Sequence, residues 1–247
     1  MTDLSVIIPC YNSAGLVASR VAELEAVLGA TTWSWEILLC DDGSADATPE
    51  LCRRLAEESP RRRYLPSAVN RGRGRNVSDG IRQSRGRFVG FMDADRSTAA
   101  HYLVPAALAL LAGADVAQAH RNYKIHLAEF PFIVHRFLAH VTYAALVRLA
   151  LGIRGHDTET GFKFFRREAA LRLLERTEAA GWFWDTEVIA NAHVLGCRVA
   201  EVPSLFIRTK GMGSTVRLAR DSWTQFWALL RYARRLKGRR LRGPCCA

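Results

Sequence analysis

Two carboxylates, Asp93 and Asp95, are separated by a single residue and follow shortly after the hydrophobic run Arg87–Gly90. The run predicts a buried strand, so both acids are expected at the end of a strand. Side chains two residues apart on a continuing strand share a face, and two acids held that close repel each other unless a cation or a donor-rich ligand compensates them. A hard divalent cation, bound by one or two carboxylates and by substrate phosphates, fits this requirement. A surface turn is the alternative, because Asp-x-Asp is common by chance.

A loop rich in glycine and arginine, residues 70–76, precedes a predicted helix. Backbone amides at the start of a helix, together with flexible arginines, form an anion site. The loop lacks the strand-flanked G-x-G-x-x-G of dinucleotide-binding proteins and the G-K-[ST] ending of P-loops, so neither motif applies. A solvated basic turn, or part of a nucleic-acid patch, is the alternative.

Strands and helices are predicted to alternate along the first half of the chain. Leu4–Pro9 and Trp35–Cys40 are short hydrophobic runs typical of strands in a covered parallel sheet, and a helical pattern follows each. This alternation predicts an α/β fold with a mostly parallel sheet flanked by helices. The loops Cys10–Ser13 and Asp41–Ser44 then lie where open α/β sheets bind ligands. For the two aspartates of the second loop, an ordinary turn or helix cap is the alternative.

The composition indicates one α/β domain of ordinary size, or one domain with an appendage, that needs an acidic partner. The chain has 247 residues, 49% of them hydrophobic, which allows a substantial core. Its formal net charge of +11 indicates nucleotide phosphates, nucleic acid or an anionic membrane. Nucleic acid is disfavoured, because the aromatic residues cluster with aliphatic residues rather than alternating with the arginines as a stacking platform.

Two segments, residues 131–153 and residues 221–237 of the tail, combine apolar bulk with basic side chains. Neither contains about 18 uninterrupted apolar residues, so no membrane span is expected, and the N-terminal sequence predicts no signal peptide. A membrane-surface position suits both segments, although periodicity leaves burial of residues 131–153 in the core open. The expected organisation is an α/β domain of residues 1–217 followed by a basic amphipathic helix and tail, residues 218–247. The expected location is cytoplasmic, with peripheral membrane association.

Six motifs resemble those of the family-2 glycosyltransferases, which have the GT-A fold, a Rossmann-like nucleotide-diphospho-sugar transferase fold. Within that family the chain is most similar to the polyprenyl-phosphate (dolichyl-phosphate) hexose synthases. The matching stretches run in family order across nearly the whole chain: Val6–Asn12, Asp41–Ser44, Asn70–Gly74, Asp93–Asp95, Asp157–Lys163 and Glu201–Pro203. The first four are typical of family-2 transferases in general, whereas the last two are narrower and indicate the lipid-phosphate branch.

The resemblance implies roles for individual residues. Those implied to bind the nucleotide-sugar are Pro9, Tyr11, Asn12, Asp41, Asp42, Arg73 and Asp93. Asp93 and Asp95 are implied to hold Mg²⁺ or Mn²⁺ on the diphosphate, in agreement with the chemistry of the pair. Those implied to be catalytic are Asp157, Arg121 and Asp95. Those implied to contact the acceptor phosphate are Arg121, Lys163, Arg208 and Lys210.

The reaction implied by the resemblance is inverting transfer of a hexose from a nucleotide-sugar to polyprenyl or dolichyl phosphate. A phosphate oxygen is already ionised near neutral pH, so no strong general base is required. The run Trp184–Glu187 resembles the glucose-transferring members more than the mannose-transferring ones, which favours a UDP-glucose-like donor over GDP-mannose. Ser97 stands where some relatives carry a metal-binding amide, so the third metal ligand stays open.

Two other functions are compatible with the sequence. A soluble family-2 transferase acting on a small-molecule or saccharide acceptor would show no lipid dependence. A non-catalytic basic protein that binds membranes or nucleic acid would keep its binding after replacement of Asp93 by alanine.

Overall fold

The computed structural model of the protein describes residues 2–123, 130–153, 157–206 and 218–241. The chain divides into two compact units, the first made of Met1–Lys124 with Glu159–Met212 and the second of Ile125–Thr158 with Gly213–Ala247. The first unit contains the sheet, and the second contains two long helices. The domain boundary expected after residue 217 stays a prediction.

Strands and helices alternate through most of the first unit, as the hydrophobic pattern predicts. The strands are β1 Leu4–Cys10, β2 Trp35–Asp41, β3 Arg62–Pro66, β4 Phe88–Met92, β5 Val116–Tyr123, β6 Phe162–Arg166 and β7 Val199–Phe206. The helices are α1 Ala14–Gly29, α2 Thr48–Glu57, α3 Arg73–Gln83, α4 Leu103–Leu111, α5 Phe130–Leu151, α6 Arg167–Leu174, α7 Trp184–Val194 and α8 Leu218–Leu241. Of these, α5 and α8 belong to the second unit.

The seven strands of the described residues form one sheet in the order β3-β2-β1-β4-β6-β5-β7. Strands β3, β2, β1 and β4 run parallel, β6 is antiparallel to both of its neighbours, and β7 is parallel to β5. All residues of β2 and β4 are buried, as expected for central strands that helices cover on both faces. The predicted α/β class with a mostly parallel sheet is confirmed.

Helices cover both faces of this sheet. On one face α1, α2 and α4 bury apolar side chains such as Val17, Cys52 and Leu103. On the other face α3, α6 and α7 bury side chains such as Val77 and Ile189. Each buried aliphatic side chain contributes about 1.5–3 kcal/mol to folding. The two cores fix the sheet between the helices and hold the loops after the strands in place.

The second unit contains α5 and α8, which contact each other. Helix α5 coincides closely with the segment 131–153 that the sequence singles out. Leu149 on α5 and the indole rings of Trp223 and Trp227 on α8 are exposed. Within the described residues, no helix has the length and apolar character that crossing a membrane requires.

Candidate active site

The loops after β1, β2 and β4 lie at one edge of the sheet, because these three strands are parallel neighbours. Cys10 pairs in register with Asp41, so the loop after β1 begins beside the loop after β2. Pro9 lies in β1, and Tyr11 follows the strand with an exposed side chain. Asp93 comes directly after β4. The predicted nucleotide-binding loops and the predicted metal pair therefore share this edge.

Asp42 is buried and holds the start of the loop rich in glycine and arginine. Its carboxylate accepts hydrogen bonds from the backbone N–H of Arg71 at 2.8 Å and of Gly72 at 2.9 Å. Gly72 has a φ of 96°, and a Cβ there would lie 2.6 Å from the carbonyl oxygen of Ala180, so only glycine fits. Burial raises the pKa of the Asp42 carboxyl, although the two backbone hydrogen bonds act in the opposite direction. Asp42 thus fixes the shape of this loop.

Asp41 and Asn12 join the loops after β1 and β2. Asp41 Oδ1 accepts hydrogen bonds from the hydroxyl and the backbone N–H of Ser44. The backbone N–H of Asn12 donates to Ser44 Oγ at 2.8 Å, and Asn12 Oδ1 accepts from the Ala45 N–H at 2.9 Å. Asn12 has a φ of 47°, which asparagine tolerates better than most residues. These bonds make the two loops one structural element.

Arg73, the cation expected to meet the donor phosphates, is the first residue of α3. Its Nε and Nη2 donate to Asp93 Oδ1 at 3.0 and 2.7 Å, and its Nη1 donates to Asp185 Oδ2. The guanidinium carbon lies 4.9 Å from the centre of the Phe91 ring and 5.3 Å from that of Trp182. Burial opposes the charge, but the two carboxylates outweigh it and raise the pKa of Arg73. A permanent cation is therefore held on the first acid of the predicted metal pair.

Asp185 bridges two cations and is absent from the set of predicted site residues. Its Oδ1 accepts a hydrogen bond from Lys163 Nζ at 2.7 Å, and both side chains are buried. Lys163 Nζ also donates to the backbone carbonyl of Thr160 at 2.7 Å. Lys163 pairs in register with Phe91 across β4 and β6. Lys163 thus reaches Arg73 through Asp185, and its predicted contact with an acceptor phosphate stays a prediction.

A sequence signal for Asp185 exists in the run Trp184–Glu187. An acid in the first turn of a helix ordinarily indicates a favourable interaction with the helix N-terminus. This first turn is instead buried throughout, and a buried acid requires a charged or donor partner. The partner, Lys163, lies 22 residues earlier, so the sequence alone does not pair the two.

Asp93 and Asp95 are the predicted metal ligands. Burial raises the pKa of Asp93, Arg73 opposes this effect, and the negative charge of Asp95 adds to it. Asp95 Oδ1 accepts a hydrogen bond from the Ser97 N–H at 3.0 Å. Two carboxylates completed by diphosphate oxygens suit Mg²⁺ or Mn²⁺, so the residues fit a divalent cation. The described residues contain no cluster of three or more His, Cys, Asp or Glu able to hold a metal.

Two glycines allow close approach to the charged side chains. A Cβ at Gly161 would overlap Asp93 Oδ2, and one at Gly74 would overlap the Trp184 side chain. The backbone N–H of Asp93 also donates to the Gly161 carbonyl at 3.0 Å. Gly161 belongs to the narrower of the family motifs, and its contact with Asp93 gives a physical reason for glycine there.

Arg121, Asp157, Arg208 and Lys210 complete the set of predicted site residues. Arg121, in β5, forms an ion pair with Glu159 at 3.9 Å. Asp157 is buried and belongs to the second unit. Arg208 and Lys210 lie outside the described residues. The roles implied for these residues stay predictions.

Solved structures of sugar transferases share this fold. Glucosyl-3-phosphoglycerate synthase from Mycobacterium tuberculosis, in complex with Mn²⁺, UDP and glucosyl-3-phosphoglycerate, is similar with a TM-score of 0.68 and 20% sequence identity, over 94% of this chain and 80% of that one. Mannosyl-3-phosphoglycerate synthase from Rubrobacter xylanophilus has a TM-score of 0.70 and 16% identity, over 99% of this chain and 77% of that one. At these identities the similarity establishes the fold alone, and it is the expected GT-A fold.

The chain belongs to glycosyl transferase family 2. The model of that family matches residues 5–174, more than half of the chain. The matched range includes the loops that carry Asp42, Arg73 and Asp93. The predicted family, and with it the class of glycosyltransferases, is confirmed.

Individual relatives are similar over most of the chain. Glycosyltransferase AglD from Haloferax volcanii is 34% identical over 206 residues, which cover 81% of this chain and 32% of that protein. Dolichyl-phosphate beta-glucosyltransferase from Dictyostelium discoideum is 28% identical over 244 residues, which cover 88% of this chain and 72% of that protein. The Saccharomyces cerevisiae protein of the same name is 27% identical, with 89% and 70% covered. The chain thus spans about a third of the length of the Haloferax relative.

Proposed function

We propose that the protein transfers a hexose from a UDP-glucose-like donor to polyprenyl or dolichyl phosphate, with inversion at the anomeric carbon. The observation that carries this proposal is the Arg73 guanidinium held on Asp93, at the carboxyl edge of the sheet. A cation beside two carboxylates complements a metal-bound diphosphate leaving group. Two relatives are named dolichyl-phosphate beta-glucosyltransferases, which supports both the sugar and the lipid acceptor.

On the donor side, the joined loops after β1 and β2 bind the base and ribose. Pro9 contributes from the end of β1, Tyr11 and Asn12 contribute from the loop after it, and Asp41 and Asp42 hold the second loop in shape. These loops are preorganised by hydrogen bonds that do not involve a ligand, which lowers the cost of ordering them on binding.

On the diphosphate side, Arg73 binds the phosphates, and Asp93 and Asp95 would hold a divalent cation. Mg²⁺ or Mn²⁺, when bound, supplies positive charge that stabilises the diphosphate as it leaves. Asp185 holds the guanidinium of Arg73 from the side opposite Asp93. A diphosphate can therefore bind Arg73 while Asp185 keeps Arg73 in the site. This arrangement stabilises developing negative charge by preorganisation rather than by proton transfer.

On the acceptor side, an ionised phosphate oxygen attacks the anomeric carbon and requires no general base. Arg121, Lys163, Arg208 and Lys210 are proposed to supply positive charge for that phosphate. Asp157 is proposed to lie near the sugar or the acceptor.

We also propose that α5 and α8 bind the surface of the cytoplasmic leaflet. Exposed Trp223 and Trp227 stand on a helix that carries many arginines, a combination suited to an anionic interface. Liposome flotation tests this proposal, with better recovery expected on anionic than on neutral vesicles at low salt. Equal recovery on the two kinds of vesicle contradicts an electrostatic contribution.

The transfer itself is tested with purified protein, Mg²⁺ or Mn²⁺, and radiolabelled UDP- and GDP-sugars, with and without polyprenyl phosphate. Label from one donor is expected in the organic phase, and its loss with Asp93→Ala ties the transfer to the metal pair. Transfer to a small acceptor without lipid dependence supports the soluble transferase instead. Binding without turnover, unchanged by Asp93→Ala, supports the non-catalytic alternative.

A further inference from the structure

Helix α1 contains a fully buried arginine, Arg20, in the middle of its apolar face. Arginine is almost never fully buried unless it is paired, because removing its charge from water is costly. Burial accordingly lowers the pKa of Arg20, while Glu23 acts in the opposite direction. The contacts that compensate this cost therefore indicate the role of Arg20.

The guanidinium of Arg20 contacts both ends of the loop that carries the acidic pair. Its Nε donates to the carbonyl of Asp93 at 3.0 Å. Its Nη1 and Nη2 both donate to the carbonyl of Thr98 at 3.2 Å. The planar fork thus joins two carbonyls five residues apart in sequence, and Asp95 lies between them.

Glu23, one helical turn further along α1, holds the same loop by side-chain and backbone contacts. Its carboxylate accepts hydrogen bonds from Arg20 Nη1 at 3.0 Å, from Arg96 Nε at 3.0 Å and from the Ala100 N–H at 2.8 Å. Arg96 has a φ of 58°, a strained conformation for a residue other than glycine. The strain lies immediately after Asp95, at the residue that Glu23 holds.

We propose that Arg20 and Glu23 are positioning residues that fix the backbone of Asp93–Ala100, so that the two carboxylates present their oxygens to a diphosphate-bound divalent cation. Neither residue touches the substrate in this scheme, since Arg20 acts through the carbonyls of Asp93 and Thr98, and Glu23 acts through Arg96 and the Ala100 N–H. Helix α1 also begins directly after the loop of Asn12, so the same helix supports the nucleotide side and the metal side. The inference rests on the proposed metal site.

The test uses three variants of the full chain and one matched control. Glu23→Gln keeps the size of the side chain but removes its charge. Arg20→Lys provides one ammonium, which cannot span two carbonyls. Arg96→Gly accepts the positive φ but removes the ion pair. The control is Glu50→Gln on α2, which alters an exposed i,i+3 pair with Arg53 at 4.0 Å.

Mn²⁺ binding in the presence of UDP, followed by electron paramagnetic resonance, is the main measurement. Replacing residues that orient metal ligands without binding the metal typically lowers metal affinity about 10- to 100-fold, so we expect about a 10-fold loss for each of Glu23→Gln, Arg20→Lys and Arg96→Gly. Amide hydrogen exchange is expected to accelerate over residues 96–100. Glu50→Gln is expected to change neither quantity.

The outcomes separate this inference from the proposed function. If the unmodified protein binds no Mn²⁺ in the presence of UDP, both the metal site and this inference are wrong. If it binds Mn²⁺ and the folded Glu23→Gln and Arg96→Gly variants bind it equally well, the positioning role is wrong while the metal site stands. The Mn²⁺ affinity of Arg20→Lys is compared only if thermal unfolding shows that this variant folds. The other two variants test the positioning role without it.

Discussion

The acids on the two sides of the candidate site are held by different kinds of partner. Beside the loops after β1 and β2, Asp41 and Asp42 accept hydrogen bonds mainly from backbone N–H groups and a serine hydroxyl. Beside α3 and α7, Asp93 and Asp185 accept from cationic side chains, above all Arg73. The first pair determines the shape of loops, and the second pair balances buried charge. Exchanging an acid for an amide should therefore have different consequences on the two sides.

Asp185→Asn is expected to cause the largest loss of stability. The substitution preserves shape but removes the counter-charge of Lys163, whose side chain is fully buried. Removal of one partner of a buried ion pair typically costs about 3–5 kcal/mol. Equilibrium unfolding in urea, followed by circular dichroism, measures this loss.

The double variant Asp185→Asn with Lys163→Met separates charge from shape. Methionine fills a similar volume without a charge, so the double variant should regain most of the lost stability. If the double variant is no more stable than Asp185→Asn alone, buried charge does not explain the loss of stability. The proposed difference between the acids on the two sides of the site is then wrong.

Gly161→Ala is expected to weaken metal binding and to cost less stability than Asp185→Asn, because Arg73 keeps its second partner, Asp185. The new Cβ would overlap the Asp93 carboxylate and move it away from its observed position beside Arg73. A displaced ligand should lower Mn²⁺ affinity by about 10-fold or more, measured by titration in the presence of UDP. The matched control is Gly181→Ala, where nothing lies within 4 Å of the new Cβ. Equal Mn²⁺ affinity in the two variants would show that Asp93 does not need its observed position.

Asp42→Asn is expected to be milder than Asp185→Asn. Asparagine offers one acceptor oxygen, so one of the two N–H groups, of Arg71 or Gly72, loses its partner. An unpaired, partly buried N–H costs about 1–3 kcal/mol. Urea unfolding under the same conditions measures this variant, and a loss equal to that of Asp185→Asn would contradict a role limited to loop shape.

The sequence predicts the elements of this molecule well and its side-chain pairing only in part. Runs such as Leu4–Pro9 indicate a buried strand because local hydrophobicity and β-branching act within a few residues. The placement of Asp93 after β4 follows from the same local pattern. By contrast, the ion pair of Lys163 with Asp185 depends on how β6 and α7 pack, which no local pattern reveals.

Dependence on long-range packing also explains why the sequence does not predict the role of Arg20. A single arginine within an apolar helical face ordinarily indicates a side chain that extends to solvent. Apart from Glu23 on the same helix, its partners are the backbone carbonyls of Asp93 and Thr98, more than 70 residues away. Backbone acceptors leave no signature in the sequence, since every residue carries one. Positioning residues of this kind are therefore visible only in the structure.

Ser44→Ala should give the smallest effect of these variants. It tests whether the hydrogen bonds of Asp41 determine only the shape of the loops. The hydroxyl donates to Asp41 Oδ1 and accepts from the Asn12 N–H, so alanine removes one link between the two loops, and the Ala45 N–H to Asn12 Oδ1 bond remains. At a partly buried site this should cost about 1 kcal/mol of stability. UDP affinity without metal, measured by calorimetry, should fall only a few-fold. Ser19→Ala, which removes an exposed hydroxyl on α1, is the control, and a Ser44→Ala variant indistinguishable from it would show that the loops hold their shape without this bond.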